Sequence, residues 1–122
     1  MLNEQKYAIS LVLTLTFHAA HVLEWHPGKC SRLHGHTYKI DVTVEGPLNA
    51  NGVIADFDVL SPWLYQLLIE PLDHTLLNDL IPNPTAEHIG LHIMSEVEKH
   101  ELPVTCIRLW ETPETSVLVT RN

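Results

Sequence analysis

Two segments in which apolar and polar side chains alternate constrain the fold of this 122-residue chain more than any other feature. In the first segment, the odd-numbered residues are apolar and the last of them is a histidine: Leu11, Leu13, Leu15, Phe17, Ala19 and His21. In the second segment, the even-numbered residues begin with a histidine and are then apolar: His36, Tyr38, Ile40, Val42 and Val44. Successive side chains of a β-strand point to opposite faces, so this pattern indicates a strand buried on one side. We therefore predict two half-buried strands, near residues 7–24 and 36–46.

The histidines of these two segments are predicted to converge. His21 and His36 have the parity of the buried side chains, and His34 shares the face of His36. Because His18 has the opposite parity in its strand, it is not expected to join them. Three inward imidazoles with no fourth protein ligand are typical of an open zinc site, which keeps one position for water or substrate. The alternative is that some of the three are hydrogen-bonded histidines of the core.

Cys30 lies shortly before His34, outside the predicted ligand set but within reach of the substrate side of a metal. Lys29 and Arg32 flank it, and nearby positive charge favours the thiolate, the form of cysteine that accepts a proton. We therefore expect Cys30 to act as a base. The alternative is that its sulfur is a fourth, structural zinc ligand, which would close the site.

Composition restricts the class of protein. A chain of this length with 45% apolar residues is predicted to form one globular domain over residues 1–122. Seven Lys and Arg against fifteen Asp and Glu give a formal net charge of −8, which argues against a nucleic-acid-binding surface. The N-terminus lacks the layout of a secretory signal, and no apolar run reaches the length of a membrane span. We expect a cytoplasmic protein with reduced cysteines that binds neither nucleic acid nor membrane.

The rest of the chain is predicted to form two helices and two further strands. Asp56 or Asp58 is predicted to cap a helix that ends before Pro71, and Thr85 is the predicted N-cap of a second helix. The two closing strands are predicted near residues 104–111 and 116–120. The order strand, strand, helix, helix, strand, strand predicts an α+β domain, a four-stranded antiparallel sheet with both helices on one face.

A sheet of this kind has two edge strands, and long flat edges are rarely left open. The second strand is regular and carries no proline, so nothing in it protects an edge. Closing such sheets edge to edge removes the unpaired edges, which predicts a homo-oligomer with active sites at the boundaries between subunits.

A series of short motifs in a fixed order supports a more specific interpretation. The motifs are Phe-His-Ala-Ala-His at 17–21, Cys-Ser-Arg-Leu-His-Gly-His at 30–36, Asp-Phe at 56–57, Leu-Asp-His at 72–74, Leu-Asn at 77–78, Asn-Pro-Thr-Ala-Glu at 83–87 and Glu-Thr at 111–112. In these residues the chain resembles the family of 6-pyruvoyl-tetrahydropterin and 6-carboxy-5,6,7,8-tetrahydropterin synthases, whose architecture is the T-fold. The spacing between Cys30 and His34 is similar to that of the bacterial queuosine-pathway branch.

This resemblance implies roles for residues that spacing alone leaves open. It implies a zinc ion on His21, His34 and His36, catalysis by Cys30, Asp73, His74 and Glu111, and substrate contacts from Glu111 and Thr85. His74, next to Asp73, would be a second proton-transferring group, and the Glu111 carboxylate would accept the paired N–H donors of a pterin. The residues alone leave a plainer alternative, in which Asp73 caps a turn beside a surface histidine, Glu111 is a solvated acid at the end of a strand, and Thr85 caps a helix.

The implied reaction converts 7,8-dihydroneopterin triphosphate to 6-carboxy-5,6,7,8-tetrahydropterin, with release of acetaldehyde and triphosphate, in biosynthesis of the queuosine (7-deazaguanine) precursor. One alternative is the sister enzyme, which eliminates triphosphate but keeps every carbon. The other is a non-catalytic module that binds zinc or a pterin. The resemblance also implies a hexamer built from two stacked trimers.

Overall fold

The computed structural model describes residues 6–122, so the first five residues of the predicted domain lie outside the described residues. The strands are β1 (Ser10–His21), β2 (His34–Glu45), β3 (Thr75–Leu76), β4 (Val104–Thr112) and β5 (Thr115–Thr120). The helices are α1 (Phe57–Leu64), which continues into a π-helical turn (Tyr65–Ile69), and α2 (Ala86–Lys99). Short 3-10 turns lie at Lys29–Ser31 and Leu77–Asp79. The predicted α+β class is confirmed. Within residues 6–122 there is no helix with the length and apolar character needed to cross a membrane.

The sheet has the strand order β3-β1-β2-β4-β5. The pairs β1–β2, β2–β4 and β4–β5 are antiparallel, as predicted. The expected count of four strands is wrong, because β3 adds a parallel pairing of Ala19 with Thr75 and of Ala20 with Leu76. A strand of two residues is too short to show a period of two, so the sequence pattern carried no signal for it.

The position of β2 also differs from the expectation. β2 lies in the middle of the sheet, with β1 on one side and β4 on the other, so its treatment as an open edge was wrong. Within residues 6–122, the long strand with an unpaired side is β1, because β3 covers only Ala19 and Ala20 of its twelve residues. β5 forms the other edge of the described sheet.

The helices cover one face of the sheet. The buried cluster combines the alternating side chains of β1 and β2 with residues of both helices, among them Leu60, Leu64, Ile89, Ile93 and Val97. A Cβ placed on Gly90 would lie 2.9 Å from the Val119 Cγ2 atom, so the lack of a side chain lets α2 lie close to β5. A register shift between β2 and β4 leaves Val104 and Ile107 both buried, although the two residues have opposite parity.

Both helices begin at capping side chains. The Asp56 carboxylate accepts the backbone N–H of Asp58 at 2.9 Å, so Asp56 is the N-cap of α1. The Thr85 hydroxyl accepts the backbone N–H of His88 at 3.1 Å at the start of α2, as predicted. The π-helical turn that follows α1 ends before Pro71, which has no N–H to continue it.

We expect Thr85→Ala to lower the free energy of unfolding by about 1 kcal/mol, because an N–H at the first turn of α2 loses its acceptor. Thr85→Ser is the matched control, since its hydroxyl can still accept from His88. Urea denaturation followed by circular dichroism measures both variants. Equal losses in the two variants would contradict a capping role for the hydroxyl.

Candidate metal centre and active site

The open end of the β1–β2 pair holds three imidazoles. The antiparallel register places His21 opposite His34 and Ala19 opposite His36, so the last residue of β1 meets the first residues of β2. One ring nitrogen from each histidine lies within 4.8 Å of the other two. In the described chain this is the single group of three or more His, Cys, Asp or Glu side chains with that geometry.

Two of the three imidazoles are oriented by backbone carbonyls. His21 Nδ1 lies 2.8 Å from the carbonyl oxygen of Pro84, and His34 Nδ1 lies 2.7 Å from that of Arg32. A carbonyl oxygen only accepts, so each Nδ1 carries the hydrogen and each Nε2 keeps its lone pair. The two Nε2 atoms are 2.9 Å apart. Lone pairs at that distance repel unless a cation lies between them, and histidines held in this way are typical metal ligands.

His36 supplies the third nitrogen. Its Nε2 atom is buried and has no hydrogen-bond partner, which is costly unless a ligand occupies the position. Burial lowers the pKa of the His36 imidazole, the nearby Glu111 raises it, and His21 and His34 lower it again. The net effect lowers the pKa and favours the neutral form, which is the form that binds a metal. The residues present therefore fit a divalent transition-metal ion such as zinc.

Tyr38 lies next to this cluster and was not singled out in the sequence. Its hydroxyl is 3.5 Å from His21 Nδ1, and its ring stacks on Phe17 with the ring centroids 4.9 Å apart. Burial raises the pKa of the Tyr38 phenol, and Glu111 raises it further, so the group stays neutral. The sequence signal for this position was that Tyr38 and His36 share one face of the same predicted strand.

Cys30 lies in the turn at Lys29–Ser31, with a free and partly buried thiol. The carbonyl oxygen of Cys30 accepts the N–H of Leu23 at 2.9 Å, which ties the turn to the end of β1. Its sulfur is not part of the group of ligand atoms within 4.8 Å of one another. The structure therefore places the thiol on a neighbouring loop, outside the histidine group.

Asp73 and His74 form a hydrogen-bonded pair at the edge of β1. His74 Nδ1 lies 2.9 Å from Asp73 Oδ2, while the backbone N–H of His18 donates to Asp73 Oδ1 at 2.8 Å. The His74 N–H in turn donates to the His18 carbonyl at 2.6 Å. His74 has a φ of 60°, a left-handed conformation that lets neighbouring side chains face each other. The hydrogen bond from the His18 backbone lowers the pKa of Asp73, and that from His74 lowers it further.

Two grooves meet at the N-terminal end of β2. One, of about 640 Å³, is lined by His18, His36, Thr37 and His74, among others. The second, of about 470 Å³, is lined by His36, Lys39, Trp110 and Glu111, among others. His36 lines both grooves, so one member of the histidine group is shared between the groove that contains His74 and the groove that contains Glu111. Glu111 Oε1 is 3.8 Å from His36 Nε2.

Thr85 lies next to the site rather than in either groove. Its hydroxyl caps α2, and the carbonyl of the preceding Pro84 holds His21. The start of α2 is therefore a support of the histidine group. This contact joins residues 63 positions apart, and no sequence pattern indicates it.

A mixed sheet with helices on one face and a three-histidine group at its end define an α+β protein with a candidate metal site. The sequence model described as 6-pyruvoyl tetrahydropterin synthase matches residues 10–122, and the chain belongs to this family of lyase-type enzymes. The T-fold expected from the motifs is confirmed by structural similarity. The 6-pyruvoyl tetrahydropterin synthase of Caenorhabditis elegans superposes with a TM-score of 0.81 at 19% identity, over 95% of this chain and 97% of that one.

Two sequence relatives carry different names. The 6-carboxy-5,6,7,8-tetrahydropterin synthase of Haemophilus influenzae is 35% identical, over 80% of this chain and 89% of the relative. The dihydroneopterin monophosphate aldolase of Pyrococcus furiosus is 33% identical, over 88% of this chain and 93% of the relative. The family is thus shown, while its members differ in the reaction that they are named for.

We expect His34→Ala to lose a bound divalent metal ion, because the variant removes one of three converging nitrogens. His18→Ala is the matched control, since His18 lies on the same strand as His21 with the opposite parity. Metal content after dialysis, measured by inductively coupled plasma mass spectrometry, separates the two variants. Retention of metal in His34→Ala, or loss in His18→Ala, would show that the ion binds elsewhere.

Proposed function

We propose that this protein is a zinc-dependent enzyme that converts 7,8-dihydroneopterin triphosphate and one water molecule to 6-carboxy-5,6,7,8-tetrahydropterin, acetaldehyde and triphosphate, in biosynthesis of the queuosine precursor in the cytoplasm. The observation that carries the proposal is the pair of Nε2 lone pairs of His21 and His34, which face each other at 2.9 Å beside the unpartnered His36 Nε2. Several relatives named for this product support the choice of reaction.

His21, His34 and His36 would hold the zinc ion. When bound, zinc lowers the pKa of substrate hydroxyl groups and orients them for cleavage of the side chain. The carbonyl contacts to His21 and His34 set both rings in advance, so the metal site needs little rearrangement to form.

Cys30 would remove a proton from the side chain of the substrate. The backbone hydrogen bond between Leu23 and Cys30 ties its turn to the end of β1, and its sulfur lies outside the group of ligand atoms. Asp73 would act on His74, because the Asp73 Oδ2 atom holds His74 Nδ1 and leaves His74 Nε2 free to carry a proton. Asp73 is ionised over a wide pH range, since its pKa is lowered.

Glu111 would anchor the pterin ring. The 2-amino and N3–H groups of a pterin are two parallel donors, and a carboxylate accepts them as a fork. The position of Glu111, which is 3.8 Å from His36, would keep the ring beside the metal centre. Thr85 would add a ring contact through the start of α2.

A second candidate function has a specific observation behind it. The Pyrococcus furiosus relative, at 33% identity, is named an aldolase for dihydroneopterin monophosphate. Such a reaction also breaks a carbon–carbon bond of the side chain, but it would start from a substrate with one phosphate. The alternative of 6-pyruvoyl-tetrahydropterin formation keeps every carbon and eliminates triphosphate.

Product analysis separates these reactions. With zinc-loaded protein and 7,8-dihydroneopterin triphosphate, we expect equal amounts of acetaldehyde and 6-carboxy-5,6,7,8-tetrahydropterin by liquid chromatography and mass spectrometry. Cys30→Ala is the control, which should keep its zinc and lose about two to four orders of magnitude in turnover. A 6-pyruvoyl product without acetaldehyde, or turnover of the monophosphate alone, would refute the proposal in favour of the corresponding alternative.

The assembly is proposed to be a homo-oligomer with shared active sites, a hexamer of two trimers. In the part of the chain that the structure describes, one side of β1 and the edge strand β5 offer unpaired backbone groups, and pairing between copies would close the sheet. His74 lies on the β1 edge and its imidazole is 77% exposed, so a neighbouring copy can reach it.

Mixing two inactive variants tests the sharing of sites. Cys30→Ala and His74→Ala are each expected to lose turnover, whereas a mixture after subunit exchange should regain activity. Random pairing leaves about one shared site in four with both residues intact. Activity of the mixture is compared with that of each variant treated in the same way. A fully active monomer by analytical ultracentrifugation, or no recovery in a mixture with proven exchange, would contradict shared sites.

A further inference from the structure

His18 is the histidine of the 17–21 motif that the three-histidine group does not use. β1 buries its odd-numbered side chains, so His18 lies on the outer face of the sheet, opposite the helices, where its side chain is exposed. There it lines the groove of about 640 Å³ together with His74. The groove beside the Asp73–His74 pair therefore contains a second imidazole, to which the proposed chemistry assigns no role.

The imidazoles of His18 and His74 contact each other. Their ring centres lie 5.8 Å apart and their planes meet at 64°, an edge-to-face arrangement. Aromatic rings attract each other at this distance and in this orientation. His18 belongs to β1, and His74 immediately precedes β3, which pairs with β1. The pairing of these two strands therefore brings the rings together.

The His18 ring is itself held in place from the other side. Thr37 is its partner in the register between β1 and β2, and the Thr37 hydroxyl lies 3.0 Å from His18 Nδ1, at hydrogen-bond distance. Threonine is branched at Cβ, so its side chain has few conformations on a strand. A cross-strand hydrogen bond to such a residue fixes the His18 imidazole, which then forms a rigid wall for its neighbour.

His74 is the imidazole that needs such a wall. Its backbone N–H donates to the His18 carbonyl, but its side chain is 77% exposed. The bond between His74 Nδ1 and Asp73 Oδ2, 2.9 Å long, fixes one ring nitrogen only. Rotation of the ring about that bond would move Nε2, the nitrogen that faces away from Asp73. The edge-to-face contact with His18 opposes this rotation.

We propose that the His18 imidazole is a positioning residue for His74, which packs against the His74 ring and so determines where Nε2 points in the groove. This inference rests on the proposed function, since it is there that His74 carries a proton. Proton transfer depends steeply on the distance and angle between donor and acceptor, so a ring that turns loses turnover while substrate binding is kept. The competing outcome of the test is that His18 transfers a proton itself.

Two substitutions separate the ring contact from the ring nitrogens. His18→Phe keeps an aromatic ring beside His74 and removes both nitrogens. His18→Asn keeps an amide that can hydrogen-bond to Thr37 and removes the ring. Both variants retain the backbone bonds of residue 18 to Asp73 and His74, since these use the N–H and the carbonyl. His92→Ala is the control, because it removes an imidazole from α2, in a separate groove. Zinc content is measured in every variant, so that only zinc-loaded proteins are compared.

The mobility of the His74 ring is the first readout. Histidine labelled with 13C at Cε1 is incorporated, and the signal of His74 is identified by its loss in His74→Ala. We expect 13C relaxation to show a lower order parameter for the His74 ring in His18→Asn, because its wall is gone. His18→Phe and His92→Ala should match the unaltered protein. An unchanged His74 order parameter in His18→Asn would overturn the proposal.

Kinetics give the second readout. With 7,8-dihydroneopterin triphosphate, His18→Asn should lower kcat about ten-fold with little change in KM, and His18→Phe should recover most of that loss. Equal losses in both variants, with one limb of the pH profile of kcat missing, would show that His18 transfers a proton itself and would overturn the positioning role. If the unaltered protein does not turn over this substrate, the proposed function fails, and the relaxation measurement still decides whether His18 holds the His74 ring.

Discussion

The antiparallel register between β1 and β2 is the constraint on which the rest of the structure depends. It pairs Phe17 with Tyr38 in the core and His21 with His34 at the end of the strands. A shift of one residue would turn every side chain of a strand to the opposite face. Such a shift would expose the apolar residues and separate the imidazoles at once. The core and the candidate metal centre are therefore held by the same set of backbone hydrogen bonds.

The histidines bring polar atoms into an apolar interior, and the surrounding backbone satisfies most of them. Pro84 and Arg32 supply carbonyl oxygens to two imidazoles, so the start of α2 and the loop before β2 both belong to the centre. The His36 Nε2 atom is the exception, since it is buried without a partner. A cation at this point satisfies that atom and relieves the repulsion between the other two lone pairs, which links metal binding to local stability.

The two faces of the sheet have separate tasks. One face packs against the helices, whereas the outer face carries the Asp73–His74 pair at one edge of the sheet. His36 lines both grooves on this side of the sheet, and one of its ring nitrogens belongs to the histidine group. The candidate chemistry is thus positioned by a buried framework and remains open to a ligand from the outer face.

Local pattern by itself determined β1, β2, the shared face of three histidines and the caps at Asp56 and Thr85, because parity and capping depend on residues close in sequence. The family followed from ordered motifs rather than from periodicity. The candidate catalytic roles of Cys30, Asp73, His74 and Glu111 followed from the same motifs. Only the tertiary structure decided that β2 is central, that β3 exists and that the His18 backbone holds Asp73. It also decided that Pro84 orients His21 and that the imidazoles of His18 and His74 meet. These contacts join residues far apart in the chain, and their partners are chosen by how the sheet and helices pack, which a period of two or of 3.6 does not encode.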